Sequence, residues 1–130
     1  MGDLSEHFDS DEFRCHHCGA LPPGGIAPKL IQRLEALRRA LGGREIVISS
    51  GYRCPEHNRQ LRAHGHGTAR RSQHLYGKAA DVVVPGVPPA VVAERAEAVF
   101  GFVSGIGRYR GFTHLDVRMW HARWGQTQAE

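Results

Sequence analysis

The chain has 130 residues, of which 41% are hydrophobic and 23% are charged, and this length fits one domain with a buried core. The formal net charge is +4, no apolar run is long enough to span a bilayer, and the N-terminus has neither the basic nor the apolar region of a signal peptide. These features exclude a membrane-embedded protein. We expect one domain over residues 1–130 that is monomeric and cytoplasmic as produced.

The first half of the chain predicts a short capping turn, two helices and a strand. Phe8 and Phe13 bracket a polar turn and are expected to pack inward. Leucines at spacings of four, three and four residues form one apolar stripe, which indicates a helix that begins at Pro28 and ends at a glycine pair. A β-branched run predicts a strand over 45–48 that ends at the following serines, and a second helix is predicted over 55–63. The stripe leucines are Leu30, Leu34, Leu37 and Leu41.

Three cysteines, an odd number, lie in this half of the chain. Cys15 and Cys18 form a C-x-x-C motif, which is half of a structural zinc site, but no second C-x-x-C follows, since the only other cysteine is Cys54. The residues leave three interpretations open: a disulfide from Cys54 to either of the others, a small metal site that uses His16 or His17, and three free thiols. We do not expect the catalytic metal to lie at these cysteines.

The second half of the chain predicts three strands and one helix. A β-branched apolar run indicates a buried strand over 79–84. An apolar stripe indicates a helix before the last two strands, which are expected over 102–107 and 112–117. In the last strand, alternation places His114 and Asp116 on one face and packed residues on the other. Helices and strands mix without a βαβ repeat, so we expect an α+β fold, a small antiparallel sheet with helices packed on one side.

The stretch 72–81 carries the strongest chemical signal. It places His74 and Asp81 seven residues apart, with Asp81 inside the buried strand. An unpaired buried carboxylate is very costly, so this one requires a partner, and a metal ion is such a partner. Neutral imidazole and carboxylate are ligands that zinc accepts, and a catalytic zinc commonly has three protein ligands and one open position. His114 is the obvious candidate for the third ligand.

Four blocks of sequence together resemble the M15 family of zinc D-alanyl-D-alanine carboxypeptidases and related peptidoglycan peptidases. The first is Ser-x-His-x-x-Gly-x-Ala-x-Asp over 72–81, and the second is the aromatic-x-His-x-Asp of 112–116. Upstream of them stand Ser-Gly-Tyr-Arg over 50–53 and Pro-Glu-His-Asn over 55–58. The resemblance covers nearly the whole chain and implies a hedgehog/DD-peptidase-like fold.

The resemblance implies that His74, Asp81 and His114 bind one Zn²⁺ ion. It implies further that the protein is a zinc metallopeptidase that hydrolyses peptide bonds in peptidoglycan stem peptides, as a D,D-carboxypeptidase or an endopeptidase, and so acts on the cell wall. Arg53 matches the position of an arginine that stabilises the substrate carbonyl during attack, a role that suits its fixed charge. We expect four further residues to contact the substrate: Ser72, Gln73, Tyr109 and Arg118.

The general base is where this sequence departs from the family pattern. Many relatives carry an acid three residues, or a histidine two residues, before the last zinc ligand, and here those positions are Gly111 and Phe112. Asp116 lies two residues after His114 on the same strand face. We predict that Asp116 is either the base that activates the bound water or a carboxylate that orients His114, with His121 as the reserve base.

Two other functions compete with that of a peptidase. The missing base motivates a non-catalytic zinc module that binds cell-wall peptide or a protein partner. A nucleic-acid-binding zinc protein would use the cysteine motif and the basic segment 59–71, which holds four arginines and no acids. That interpretation leaves 72–81 and His114 unexplained, so the expected partner is a peptidoglycan peptide and not nucleic acid.

Overall fold

Five short strands form one sheet in the computed structural model, which describes residues 2–63 and 72–125. The strands are β1 (Val47–Ser50), β2 (Ala79–Val83), β3 (Gly105–Arg108), β4 (Thr113–Asp116) and β5 (Ala122–Gly125). Their order in the sheet is β1-β2-β4-β3-β5. All neighbouring strands are antiparallel except β3 and β5, which run parallel.

Three helices accompany the sheet: α1 (Pro28–Ala40), α2 (Pro55–Ala63) and α3 (Pro89–Phe100). Two 3₁₀ turns, Ser10–Phe13 and Gln73–Tyr76, precede α1 and β2 respectively. Helix α3 packs against α1 and against β3 and β4, so α1 and α3 cover one face of the sheet. The predicted α+β fold is therefore confirmed. Within the described residues, every helix is too short or too polar to cross a membrane.

The hydrophobic core lies between α1, α3 and the covered face of the sheet. The four leucines of the α1 stripe are buried, and Val82 and Leu115 meet them from the sheet. Thr113 also points to this side, because its hydroxyl donates a hydrogen bond to the carbonyl of Pro89 at the start of α3 over 2.9 Å. The alternate residues of β4, His114 and Asp116, consequently point to the opposite face of the sheet. We call this the uncovered face, because α1 and α3 do not cover it.

The structure differs from the sequence-based expectation at three strands. β3 begins at Gly105, whereas the sequence predicts a strand from residue 102, because Phe102 and Val103 are exposed and lie outside the sheet. β1 extends through the serines that the sequence predicts as its end: Ser50 pairs with Asp81 across a bulge, and the Ser49 hydroxyl donates to the backbone carbonyl of Asp81 over 3.1 Å. An edge strand such as β1 tolerates polar residues. β5 is not predicted at all, because its sequence, Ala-Arg-Trp-Gly, is short and contains no β-branched residue.

The basic segment 59–71 is described only in part. Its residues 64–71 lie outside the described residues.

Candidate active site

One row of residues crosses the uncovered face of the sheet from β2 to β5. Asp81 on β2 pairs with His114 on β4, His114 pairs with Gly107 on β3, and Gly107 pairs with Trp124 on β5. Paired residues on adjacent strands project to the same face, so these side chains are neighbours. The ring centroids of Trp124 and His114 lie 5.0 Å apart. Gly107 leaves room for the indole, since a Cβ at this position would come within 2.6 Å of it.

His74 reaches this row from the 3₁₀ turn Gln73–Tyr76. Ser72 caps the turn, because its hydroxyl accepts a hydrogen bond from the backbone N–H of His74 over 3.2 Å. The turn ends at Gly77, whose φ of 68° is a left-handed conformation that favours glycine. The chain then enters β2, so that His74 lies beside Asp81.

The side chains of His74, Asp81 and His114 converge in a buried cluster. Nε2 of His74 lies 3.2 Å from Oδ1 of Asp81, and Nδ1 of His114 lies 3.0 Å from the same oxygen. The three residues are 1%, 4% and 7% exposed. Their ligand atoms lie within 4.8 Å of one another, and two imidazole nitrogens with one carboxylate form a group able to hold a metal ion.

The outward nitrogen of each histidine is fixed by an acceptor. Nδ1 of His74 lies 2.6 Å from the carbonyl oxygen of Gly51, and Nε2 of His114 lies 2.7 Å from Oδ2 of Asp116. A carbonyl and an ionised carboxylate only accept, so each of these nitrogens donates a proton. In a neutral imidazole the other nitrogen, which faces Asp81, then presents a lone pair. Two lone pairs that face a carboxylate repel it, and a cation between them removes this repulsion, so the donor set fits a metal ion.

Burial and charge act in opposite directions on this cluster. Burial lowers the pKa of His74, which favours the neutral, metal-binding form of its imidazole. Burial opposes ionisation of Asp81, but the electrostatic influence of the adjacent imidazoles of His114 and His74 holds the pKa of Asp81 well below its usual range. Burial also disfavours a charged His114, yet the carboxylates of Asp116 and Asp81 raise its pKa. The cluster therefore attracts positive charge.

Asp116 is fully buried behind His114 and is bound by Arg118. Nε and Nη2 of Arg118 donate to the Asp116 carboxylate over 2.9 and 2.7 Å, and the Arg118 backbone N–H donates to it over 3.1 Å. Although burial opposes ionisation, hydrogen bonds from His114 and Arg118 hold the pKa of Asp116 well below its usual range. Gly105 pairs with Asp116 and makes space for it, because a Cβ at Gly105 would collide with the carboxylate.

Arg53 lies beside the cluster, next to the second carboxylate oxygen of Asp81. Its Nη2 donates to Oδ2 of Asp81 over 3.3 Å, and its backbone N–H donates to the carbonyl of His74 over 3.1 Å. The Arg53 side chain is 15% exposed, so its charge acts in a largely desolvated environment. The structure thus brings Arg53 together with the three predicted metal ligands.

The four residues predicted to contact substrate have different surroundings. Ser72 caps the turn that carries His74, and Gln73 is buried in the same turn. The hydroxyl of Tyr109 accepts a hydrogen bond from Nε1 of Trp124 over 2.7 Å, which connects Tyr109 to the row across the sheet. The guanidinium of Arg118 lies 5.0 Å from the ring centroid of Trp124 and binds Asp116. Arg118 therefore holds a buried carboxylate, and the other three lie near the cluster.

His121, the reserve base, lies against Phe102, and the sequence-based prediction did not include Gly51 or the packing of Trp124. The ring of His121 stacks on Phe102 at 3.9 Å, and its Nδ1 lies 2.7 Å from the Phe102 carbonyl, so the contacts of His121 are with Phe102. Sequence reasoning missed Gly51, whose carbonyl holds His74, and the packing of Trp124 against the cluster. The Ser-Gly-Tyr-Arg block signals the first of these, but a backbone carbonyl carries no side-chain chemistry to identify it.

Comparisons with known proteins agree with this geometry. A model of the Peptidase M15 family matches residues 6–116, a range that includes all three residues of the cluster. A probable peptidoglycan L,D-endopeptidase MepK of Haemophilus influenzae is 36% identical over 100 residues, which are 72% of this chain and 53% of that protein. Peptidoglycan L,D-endopeptidase MepK of Escherichia coli K12 is 34% identical over 114 residues, which are 85% of this chain and 58% of that protein. The chain thus spans little more than half the length of these relatives.

A solved structure shares the fold. The L-Ala D-Glu endopeptidase ChiX of Serratia marcescens has a TM-score of 0.56 and 20% sequence identity to this chain, over 72% of this chain and 81% of ChiX. The family model, which extends over most of the sequence, and the relatives above one third identity lead to the same assignment. The chain belongs to the peptidase M15 family.

Proposed function

We propose that this chain is a zinc-dependent endopeptidase that hydrolyses peptide bonds in peptidoglycan. The observation that carries the proposal is the buried convergence of His74, Asp81 and His114, with the outward nitrogen of each histidine held by an acceptor. Membership of the peptidase M15 family and the names of the MepK relatives supply the reaction class and the polymer.

The donor set fits zinc in number, chemistry and spacing. Two imidazole nitrogens and one carboxylate oxygen are the three protein ligands typical of a catalytic zinc with one open position. Bond lengths of about 2.0–2.1 Å give a tetrahedron whose edges are about 3.3 Å, and the separations of 3.2 and 3.0 Å from Asp81 to the two histidines are close to this. His74, Asp81 and His114 would hold the ion, and zinc held there would supply Lewis-acid polarisation of a peptide carbonyl and activation of water.

The protein's own residues supply orientation and charge. Gly51 and Asp116 fix the rings of His74 and His114, so that the metal-facing nitrogens need no reorganisation when a ligand binds. Arg53 carries a fixed positive charge beside the cluster, and we assign it to the negative charge that develops on the substrate carbonyl oxygen during attack.

Asp116 is assigned a positioning role. Oδ2 accepts from His114 and from Arg118, and Oδ1 accepts from the Arg118 side chain and backbone. Both oxygens are thus occupied, and the residue is fully buried. A carboxylate in this state is suited to orienting His114 and poorly suited to accepting a proton from water, so the geometry favours the orienting half of the sequence-based prediction.

The linkage is assigned from the relatives. Both MepK proteins are named L,D-endopeptidases, and neither is named a D,D-carboxypeptidase. We therefore propose that the chain cuts between an L- and a D-configured residue within a peptidoglycan peptide. We assign Ser72 and Gln73, which belong to the turn that carries His74, and Tyr109, which is bound by Trp124, to contacts with the substrate backbone.

A non-catalytic zinc module that binds cell-wall peptide is the second candidate. The observation that favours it is the occupied state of Asp116, which leaves the water-activating base of this site without an assigned residue. Hydrolysis and binding are separate measurements, so one set of assays distinguishes the two candidates.

The experiment is digestion of purified peptidoglycan and of soluble peptides that contain defined L,D and D,D bonds, with products identified by mass spectrometry. We expect cleavage at L,D bonds, loss of cleavage on chelation and recovery on addition of zinc. His74→Ala should be inactive, and His121→Ala, whose contacts are with Phe102, should remain active. Zinc-dependent binding without new products would favour the second candidate, and cleavage that survives chelation would reject the proposal.

A further inference from the structure

A second cluster of metal-ligating side chains lies outside the three-residue cluster. The Sγ atoms of Cys15, Cys18 and Cys54 lie within 4.8 Å of one another. Nδ1 of His57 lies 3.7 Å from Sγ of Cys15. These four side chains belong to one C-x-x-C and one C-x-x-H motif, which the fold brings together although Cys15 and Cys54 are 39 residues apart in sequence.

Backbone amides surround the sulfur atoms of this cluster. The N–H groups of His17 and Cys54 each donate to Sγ of Cys15 over 3.4 Å, and the N–H group of His57 donates to Sγ of Cys54 over 3.4 Å. Cys15 is 2% exposed, so its sulfur lies in a buried position with these backbone N–H groups directed at it.

We propose that Cys15, Cys18, Cys54 and His57 bind a second zinc ion in a closed, structural site. Three cysteines and one histidine make the four-ligand complement of structural zinc, with the C-x-x-C spacing common in such sites. Zinc–sulfur and zinc–nitrogen bonds of about 2.3 and 2.0–2.1 Å correspond to a tetrahedral sulfur–nitrogen separation of about 3.5–3.6 Å, and Nδ1 of His57 lies 3.7 Å from Sγ of Cys15, which is close to this.

A disulfide accounts for the arrangement less well. All three cysteines are free thiols in the structure. A bond between any two of them would leave the third sulfur and His57 without a role, although the three sulfurs converge and Nδ1 of His57 lies 3.7 Å from Sγ of Cys15. The sequence leaves a disulfide, a metal site and free thiols open, and only the metal site uses all three cysteines together with a histidine. The histidine ligand is His57, whereas the sequence suggests His16 or His17.

The proposed zinc site connects the N-terminal segment to the segment that contains Arg53, the residue beside the His74, Asp81 and His114 cluster. Cys15 follows the turn Ser10–Phe13, and Cys54 directly follows Arg53. A backbone hydrogen bond of 2.8 Å from Tyr52 to Phe13 runs alongside the cluster. A metal ion that joins the two segments holds the Arg53 backbone in place, so the second zinc positions the guanidinium without touching substrate.

The test isolates the second site by removing the first. In the full chain carrying His74→Ala and His114→Ala, purified with a reducing agent, elemental analysis should find one zinc per chain, against two in the unchanged protein. Adding Cys54→Ser or His57→Ala to this background should remove the remaining zinc. His16→Ala is the matched control, since His16 is exposed and stands between Cys15 and Cys18, and it should keep the zinc.

Cobalt provides a second readout that leaves all three cysteines in place. Co²⁺ bound to the double histidine variant should show the near-ultraviolet thiolate-to-cobalt absorption and the strong visible absorption of a tetrahedral site. A double variant that binds neither zinc nor cobalt overturns the proposal, and so does bound cobalt without the thiolate absorption. The two histidine variants should also differ in how well they retain zinc against a chelator. If His57→Ala retains its zinc as well as His16→Ala does, the proposal is overturned, because His57 is then not the fourth ligand.

Discussion

Asp116 accepts a hydrogen bond from Nε2 of His114 over 2.7 Å, across two residues of one strand. Strand alternation places both side chains on the uncovered face, and Arg118 fixes the carboxylate from its other side. The consequence is that Nδ1 of His114 points at Asp81, where the proposed metal is bound. A carboxylate behind a histidine ligand orients the ring and increases its basicity.

The first prediction concerns this carboxylate. Asp116→Ala removes the acceptor for Nε2 of His114, so we expect zinc affinity and hydrolysis to fall together by about ten- to a hundred-fold. Asp116→Asn keeps an acceptor of the same shape and should be affected less. The measurement is zinc affinity by competition with a chelator, beside hydrolysis of an L,D peptide. Unchanged zinc affinity with a loss of kcat of about a thousand-fold or more would instead identify Asp116 as the general base.

The second prediction concerns the glycine that accommodates Asp116. Gly105→Ala places a Cβ against the buried carboxylate and within 2.6 Å of Nε of Arg118, so we expect a loss of about 1–3 kcal/mol in the free energy of unfolding, together with weaker zinc binding. Gly111→Ala is the control, since no atom lies within 4 Å of the added Cβ there, and it should change stability little. Equal urea midpoints for the two variants would contradict this account.

The third prediction assigns Arg53 to the transition state. Because the negative charge on the substrate oxygen develops only during attack, Arg53→Ala should lower kcat by about a hundred- to a thousand-fold with zinc retained. Arg53→Lys keeps the charge but loses the forked donor and should recover part of the rate. Steady-state kinetics and elemental analysis on the same preparations check this, and a change confined to KM would indicate simple substrate docking.

The fourth prediction concerns pH and the N-terminal segment. Glu35 on α1 accepts hydrogen bonds from the Ser5 hydroxyl, from the His7 backbone over 2.8 Å and from the His7 ring. Burial opposes its ionisation, but the bonds from Ser5 and His7 lower the pKa of Glu35. A lowered pKa in the folded state gives stability that is present above the unfolded value of about 4.3 and is lost as pH falls through the folded value.

Glu35→Gln should therefore reduce the free energy of unfolding at pH 7 by about 1–2 kcal/mol, and the difference from the unchanged protein should narrow below about pH 4.3. Urea unfolding from pH 7 down to the lowest pH at which the chain stays folded provides the measurement. Glu94→Gln, at an exposed position on α3, is the control. A difference that stays constant over the whole pH range would show that ionisation of Glu35 contributes nothing.

The helices and the cluster could be predicted because their signals are local or chemical. The leucine stripe of α1 and the β-branched run of β2 express burial through periodicity, which depends only on nearby residues. Asp81 stands out because a carboxylate inside an apolar strand requires a partner, and the resemblance to the M15 family implies that His74 and His114 complete the set. The structure brings these three side chains together as that reasoning expects.

The features that the sequence does not predict depend on tertiary placement. Gly51 acts through its backbone carbonyl, and Gly105 and Gly107 act by leaving space for neighbouring side chains. None of these three glycines therefore has a chemical signature in the sequence. β5 is short, contains no β-branched residue and is defined by its pairing with β3. His57 stands at the same spacing from Cys54 as Cys18 does from Cys15, a signal present in the sequence, but its meaning depends on the contact between the two segments.

The most direct test of the central claim is to locate the metal itself. Crystals of the full chain grown with zinc should give an anomalous difference peak, present above the zinc absorption edge and absent below it, between Nε2 of His74, the carboxylate of Asp81 and Nδ1 of His114. Zinc bound elsewhere in the crystal, with no peak among these three residues, would contradict the claim that they form the metal centre of a peptidase.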